Sequence, residues 1–290
     1  MEEKIRCIRK EEEDYPERMR QLDHMPEQIY VRGRLPENKR PCAAIVGARL
    51  CSPYGAAQAR RFARELCAVG VQIISGMARG IDGWAHRGAL ESGGDSWAVL
   101  GCGADICYPR ENRDLYRKMG MGRGGLISEY PPGQPPLGRQ FPARNRIISA
   151  LSDVVLVVEA KEQSGSLITA DFALEQGRTV YAVPGRLGEP LSEGCNRLIA
   201  QGAGLALTPE SLLLEWKIAW KGENSQEEKR NLGLARTKDM VYSCLSLVPK
   251  HLSEIAKEAK MTAAEAGTEL LALRLEGLAE EPARNYYVRK

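Results

Sequence analysis

The sequence predicts an α/β protein: a Rossmann-like, doubly wound and mostly parallel sheet, followed by a small C-terminal winged-helix domain. Three observations carry this. From residue 43 to about residue 210 the chain repeats an apolar strand, a glycine-bearing turn and a helix. The strands are separated by enough chain for the crossover helix that parallel neighbours require. VVLVVEA (154–160) is apolar without alternation, as in a strand buried on both faces.

The first strand, AAIV (43–46), runs into Gly47-Ala48-Arg49, and Ser52-Pro53 then supply a helix N-cap and a proline at the first helical position. Gly70 closes that helix. VQIIS (71–75) leads into SGMARGID (75–82) and a helix stopped at Gly93-Gly94. SWAVL (96–100) is followed by GCGADICYPR (101–110), and LISEY (126–130) by FPARNR (141–146), whose arginines open the apolar run IISAL, read as the beginning of a helix. VVLVVEA ends at EAKEQSGS (159–166) and TVYAV (179–183) at PGR (184–186).

Residues 1–42 are too few for a core of their own and are expected to form an arm packed on the main domain, residues 43–220. The polar stretch KGENSQEEKRNLG (221–233) reads as a linker. In residues 234–290, VYSCLSLV, HLSEIAKEAK and TAAEAGTELLALRLEGL read as short helices and LAEEPARNYYVRK as a hairpin, which together make a winged helix-turn-helix.

Composition narrows the function. With 41 Lys+Arg against 38 Asp+Glu the formal charge is +3, so only local placement of arginines can argue for nucleic acid. The 8 cysteines show no C-x-x-C spacing and there are 3 histidines, so neither a metal site nor a disulfide framework is supported and no cofactor is expected. The charged N-terminus, MEEKIRCIRKEEEDYPERM, resembles neither a signal peptide nor a membrane span, and a reducing cytoplasm is the expected location.

In a parallel sheet ligands bind beyond the carboxyl ends of the strands. Here those ends repeatedly pair glycine with arginine: Gly47 with Arg49, Gly76 and Gly80 with Arg79, and then Arg110 and Arg186. Free N–H groups at helix starts together with guanidinium forks make an anion site. A P-loop would need a Gly-Lys pair, which occurs nowhere, and the single G-x-G-x-x-G match (120–125) precedes a strand instead of following one. Arg144 and Arg146 at a helix start would oppose its dipole and call for an anionic partner. Several arginines along one groove suit a polyanion better than one small phosphate. Catalytic readings are thinner. Asp82 and His86 are spaced as an acid–base pair or as a helix brace; Ser75, Ser164 and Ser166 sit where serines cap helices; Glu129 and Glu159 end strands and could orient arginines.

VGAR…SPYG, ISGMARGIDGWAH, AVLGCGADICYPREN, ISEYPPG, FPARNRIISALSD, VVEAKEQSGSLITADFALEQGR, AVPG and GCNRLIAQGA follow one another across residues 44–203. Together they closely resemble the DprA (Smf) family of DNA-processing proteins of natural transformation. The resemblance implies a binding protein, not an enzyme: one that binds single-stranded DNA on its Rossmann-like domain, protects incoming strands, forms a homodimer and helps load the recombinase RecA. It places DNA contacts at Arg49 and Arg110, with the SGMARGID loop (Gly76, Arg79, Gly80) and FPARNR (Arg144, Asn145, Arg146) lining the same groove. Gly47 and the Ser164-Gly165-Ser166 turn complete the expected DNA-binding set. Position 48 is alanine where the family often has serine, and the helical N-terminal domain of many relatives has no counterpart. The rival reading is a nucleotide-binding hydrolase acting on nucleoside monophosphates.

The expected recognition helix, TAAEAGTELLALRLE, carries Glu265, Glu269 and Glu276 against Arg274, a poor face for duplex phosphates. Protein contact is the favoured role for this domain, although Arg284, Tyr286 and Arg289 of the wing keep duplex binding open.

Overall fold

The computed structural model describes residues 4–218 and 236–289, and its contacts divide the chain into two compact units, residues 1–220 and 221–290. The expected linker, 221–233, lies outside the described residues.

The first unit contains β1 (Arg6–Arg9), α1 (Glu17–Arg20), β2 (Gln28–Gly33), β3 (Cys42–Val46), α2 (Pro53–Ala68), β4 (Gln72–Ser75), α3 (Ile81–Glu91) and β5 (Ser96–Leu100). It continues with α4 (Arg113–Gly120), β6 (Gly124–Ser128), α5 (Gln140–Ala150), β7 (Val154–Val157), α6 (Gly165–Glu175), β8 (Thr179–Ala182), α7 (Pro190–Ala200), β9 (Gly204–Leu205) and α8 (Pro209–Leu213). The strands form one sheet in the order β1-β2-β6-β5-β4-β3-β7-β8-β9. The run from β6 to β9 is parallel, whereas β1 and β2 add antiparallel at one edge. The strand order therefore reverses between β3 and β7, as a doubly wound sheet requires.

Alternation explains why both faces are covered. Ala43 and Ile45 of β3 join Val154 and Leu156 of β7 in one core, with Phe62 and Leu66 of α2 and Ala85 of α3. Ala44 and Val46 point the other way with Val155 and Val157, into a core shared with Ile147 of α5 and Ala170 of α6. Each such buried branched side chain contributes about 1.5–3 kcal/mol relative to exposure.

The N-terminal segment does more than pack as an arm. QIYVRG alternates, sending Ile29 and Val31 into the core, and extends the sheet by two strands. Arg18 ties it down by donating to both oxygens of Asp153, at 3.1 and 3.3 Å, and Asp153 also accepts from the N–H of Cys42. Two element boundaries also differ from the sequence reading. β6 ends at Ser128, whose Oγ donates to Cys102 O and accepts the N–H of Tyr130, turning the chain early. α5 begins at Gln140, so Arg144 and Arg146 lie inside the helix and do not face its dipole. Burial pushes the thiols of Cys42, Cys67 and Cys195 up to about 12 and those of Cys51 and Cys102 up to about 11, while Cys7 is exposed on β1.

The second unit holds α9 (Arg236–Cys244), β10 (Lys250–His251), α10 (Leu252–Glu258), α11 (Ala263–Leu275), β11 (Ala279–Ala283) and β12 (Tyr286–Arg289), with the antiparallel order β10-β12-β11. The first helix lies earlier than VYSCLSLV suggested. Thr262 and Glu265 cap α11 reciprocally, and Val241, Ile255, Leu270, Leu273 and Tyr287 form the core of this winged-helix arrangement.

His86 of α3 is fully buried and does not meet Asp82. Ser96 Oγ gives its single hydrogen to Ile73 O, so the imidazole Nδ1–H donates to that oxygen, at 2.8 Å, and Nε2 has no partner among the described residues. Burial lowers the His86 pKa from 6.5 to about 3, keeping the folded ring neutral. The unfolded chain takes up a proton below pH ~6.5, so this stability is complete above that pH and is lost as pH falls toward 3. Between pH 7 and 5 urea titrations should show the parent losing about 2 kcal/mol more than His86→Leu; equal losses would refute the assignment.

Candidate functional site

At the reversal between β3 and β7 the sheet opens into a crevice of ≈ 250 Å³. Its walls include Gly47 and Arg49 after β3, Ala78 and Asp82 after β4, Phe141, Arg144 and Asn145 of α5, and Ser164, Gly165, Ser166 and Thr169 at the start of α6.

Close backbone packing shapes the rim. Gly80 precedes α3 at φ +70°, and a side chain there would overlap Ala48 O. The contact is clamped by the Ile81 N–H donating to Ala48 O at 3.2 Å and the Ala48 N–H donating to Glu159 O at 2.7 Å. Gly76 leaves room for two charged groups: a Cβ there would lie 2.7 Å from both Arg144 Nη2 and Asp82 Oδ2.

Those groups form the floor. Asp82 accepts from the N–H groups of Gly76 and Ala78, at 3.1 and 3.3 Å. Arg144 is 3% exposed and donates to the carbonyls of Gly76 and Val99. Burial pushes the Asp82 carboxyl up and the Arg144 guanidinium down to about 10, each opposed by the other's charge. Arg144 is still a cation at neutral pH, but it is a staple beneath the crevice and not the surface arm expected from sequence.

Arg49 is the exposed cation of the crevice, with its guanidinium carbon 5.4 Å from the Phe141 ring centroid. Phe141 is also 5.6 Å from Tyr108, centroid to centroid, so an aromatic pair lies beside the arginine. On the opposite wall Ser164 caps α6, accepting the Ser166 N–H at 3.4 Å, while the Cβ position of Gly165 meets nothing within 4 Å. Asn145 bridges the walls by donating to Gly165 O at 3.1 Å and accepting from Arg144 Nε at 3.3 Å.

Arg79, Arg110 and Arg146 do not line the crevice. Arg79 is exposed in the loop before α3 and pairs with Glu111. Arg110 is exposed on a 3-10 turn, Arg110–Asn112, without an ion pair among the described residues. Arg146 points away from the groove expected for it. It forms a bidentate pair with Glu129, at 3.0 and 2.6 Å, donates to His24 O at 2.9 Å, and so fastens the N-terminal segment to α5. The acid and hydroxyl candidates also have structural partners: Glu159 accepts from the N–H and hydroxyl of Ser52, and Ser75 donates to Ile45 O. Among the described residues no cluster of His, Cys, Asp or Glu is placed to hold a metal, and no helix is long and apolar enough to cross a membrane.

Sequence reading left Thr169 out of the site. Thr169 is buried in the crevice wall one helical turn after Gly165, a position that projecting the S-G-S helix start forward would have found.

Residues 6–217 match the family model of DNA recombination-mediator protein A. The chain belongs to that family. It is 41% identical to Protein Smf of Escherichia coli strain K12 over 272 residues, covering 91% of this chain and 72% of that one. It is 42% identical over 204 residues to the DNA processing protein DprA of Streptococcus pneumoniae strain R6, covering 70% and 72%. The X-ray structure of DprA from Streptococcus pneumoniae superposes with a TM-score of 0.70 at 39% identity, covering 75% of this chain and 76% of that chain. DNA processing protein A from Helicobacter pylori, described for its single-stranded DNA binding mode, gives 0.65 at 29% identity, covering 74% and 96%.

The arginines should separate in stability measurements. Arg146→Met strands a largely buried carboxylate and should cost about 3 kcal/mol, whereas Arg49→Ala should stay within about 0.5 kcal/mol of the parent. Urea titration of both checks this, and similar losses would contradict the division into staple and surface arm.

Proposed function

We propose that this DNA-processing family member binds single-stranded DNA, without sequence preference, across the crevice between β3 and β7. The single observation that carries the reading is Arg49 held over Phe141 at the mouth of a crevice whose opposite wall is the start of α6. A guanidinium and the positive end of a helix suit phosphates. The Tyr108–Phe141 pair offers a π-face to any base, a contribution of about 1–3 kcal/mol per stacked base. Arg110 extends positive charge along the rim, on a turn fastened to the loop that carries Arg79. Gly47, Gly76 and Gly80 act through close backbone approach, and Ser164, Gly165 and Ser166 through the helix start. Arg144 and Asn145 hold the floor, and Arg146 holds the fold.

In this reading the protein works in the cytoplasm as a homodimer, protects incoming strands and helps load RecA during recombination; two grooves in one assembly would raise affinity through effective concentration. Hydrolysis of nucleoside monophosphates is less well supported, because Asp82 alone among the crevice residues carries a carboxylate, and it is buried and occupied by two N–H donors. For the winged-helix unit, Lys238 holds Glu276, Thr237 holds Glu269 and Glu281 holds Arg274, while Leu271 and Leu275 are 55% and 83% exposed. An apolar stripe with its charges already paired favours protein contact over duplex phosphates.

Binding of oligo-dT, followed by fluorescence anisotropy, should weaken steeply as salt rises, and Arg49→Glu, Arg110→Glu and Phe141→Ala should each weaken it by about tenfold or more. Parent-like binding by Arg49→Glu would displace the interface from this crevice. Release of free base from nucleoside monophosphates would support the hydrolase instead.

A further inference from the structure

We infer that Glu111 is a built-in competitor for nucleic-acid phosphate: it occupies Arg79 in an exposed ion pair and thereby sets how many backbone contacts the interface makes. This rests on reading the crevice rim as a single-stranded DNA interface. Several arginines of the sequence motifs meet carboxylates, but the pairings are not equivalent. Arg146 and Glu129 have side chains only 18% and 14% exposed and are joined by two hydrogen bonds. Arg144 is wholly engaged below the crevice. Arg79 and Glu111, by contrast, are 59% and 56% exposed and share a single contact, the arginine Nη2 donating to Oε1. A pair so open to water is worth little to stability, so the carboxylate can be removed without cost to the fold, leaving Arg79 open to a phosphate.

The pair is also dispensable for holding its two loops together. Asn112, the neighbour of Glu111, is buried and donates through Nδ2 to the carbonyls of Met77 and Ala78, at 2.9 and 3.0 Å. That side chain locks the 3-10 turn onto the loop carrying Arg79 whether or not the ion pair forms. Glu111 is thus a negative charge placed beside Arg110 and against Arg79 on a scaffold that does not need it. Its effect is electrostatic: it holds Arg79 and so withholds one phosphate contact from the parent interface.

Glu111→Gln frees Arg79 without changing side-chain size. In the anisotropy titration with oligo-dT the variant should bind several-fold more tightly at low salt. The slope of log affinity against log salt should steepen by about 0.7, the value for one added phosphate contact on a single strand. The gain should therefore shrink about fivefold for each tenfold rise in salt. It should vanish in the Arg79→Gln background, where Arg79→Gln and Arg79→Gln/Glu111→Gln should bind alike. Parent-like or weaker binding by Glu111→Gln overturns the inference, as does a gain that survives removal of Arg79, which would make Glu111 a diffuse repulsive charge. If the parent itself fails to bind oligo-dT in a salt-dependent way, the interface reading fails first, an outcome distinct from these.

Discussion

The site depends on backbone packed directly against backbone. Where the loop before α3 crosses the turn after β3, Gly80 lies on Ala48 with no space for a Cβ, and the carbonyl of Glu159 clamps that turn from the β7 side. Three loops from three strands are thereby set in register with few side chains between them. The space saved at Gly76 is filled from below by Arg144 and Asp82, a charged floor whose donors and acceptors are matched to carbonyls and N–H groups. Such a floor is costly to build and costly to disturb. Above it Arg49 and Arg110 are exposed and take no part in that packing.

Burial divides the arginines more sharply than sequence position does. Arg144 and Arg146 stand two residues apart in FPARNR, yet one closes the crevice floor and the other anchors the N-terminal strands through Glu129 and His24. Arg49 and Arg110 are the exposed ones, and Arg79 stands between, exposed but paired. The same element type therefore does three different jobs, and the distinction lies in what surrounds each guanidinium.

Much of the fold was legible because its signals are local. Continuous apolar runs in β3 and β7, Ser52-Pro53 at a helix start and Gly70 after α2 each act within a few residues, whereas the alternation of β2 lies in a segment that reads from sequence only as an arm. The carboxyl ends of the strands marked the rim, and Gly47, Arg49 and the S-G-S turn were recognisable there, but the crevice between β3 and β7 needed the strand order. What escaped was non-local. Nothing in FPARNR itself says that Glu129 and His24 will claim Arg146, or that α5 starts before Phe141 and carries both arginines into its body. Asp82 and His86 looked like a pair at helical spacing, but β5 supplies Ser96 to the histidine and the β4 loop supplies N–H groups to the aspartate. Thr169 was hidden because a threonine inside a helix announces nothing until the opposite wall is known.

The placement of the thiols has a practical consequence. Burial raises the pKa of Cys42, Cys102 and Cys195, which are fully buried, and of Cys51, Cys67, Cys107 and Cys244, which are partly so, and this makes them slow toward mild electrophiles despite the cysteine count. Cys7, alone in being exposed, sits on the outermost strand of the sheet, at the edge opposite β9. A maleimide dye added to the unmodified chain would settle there first, giving an optical reporter remote from the crevice without any engineering of the sequence.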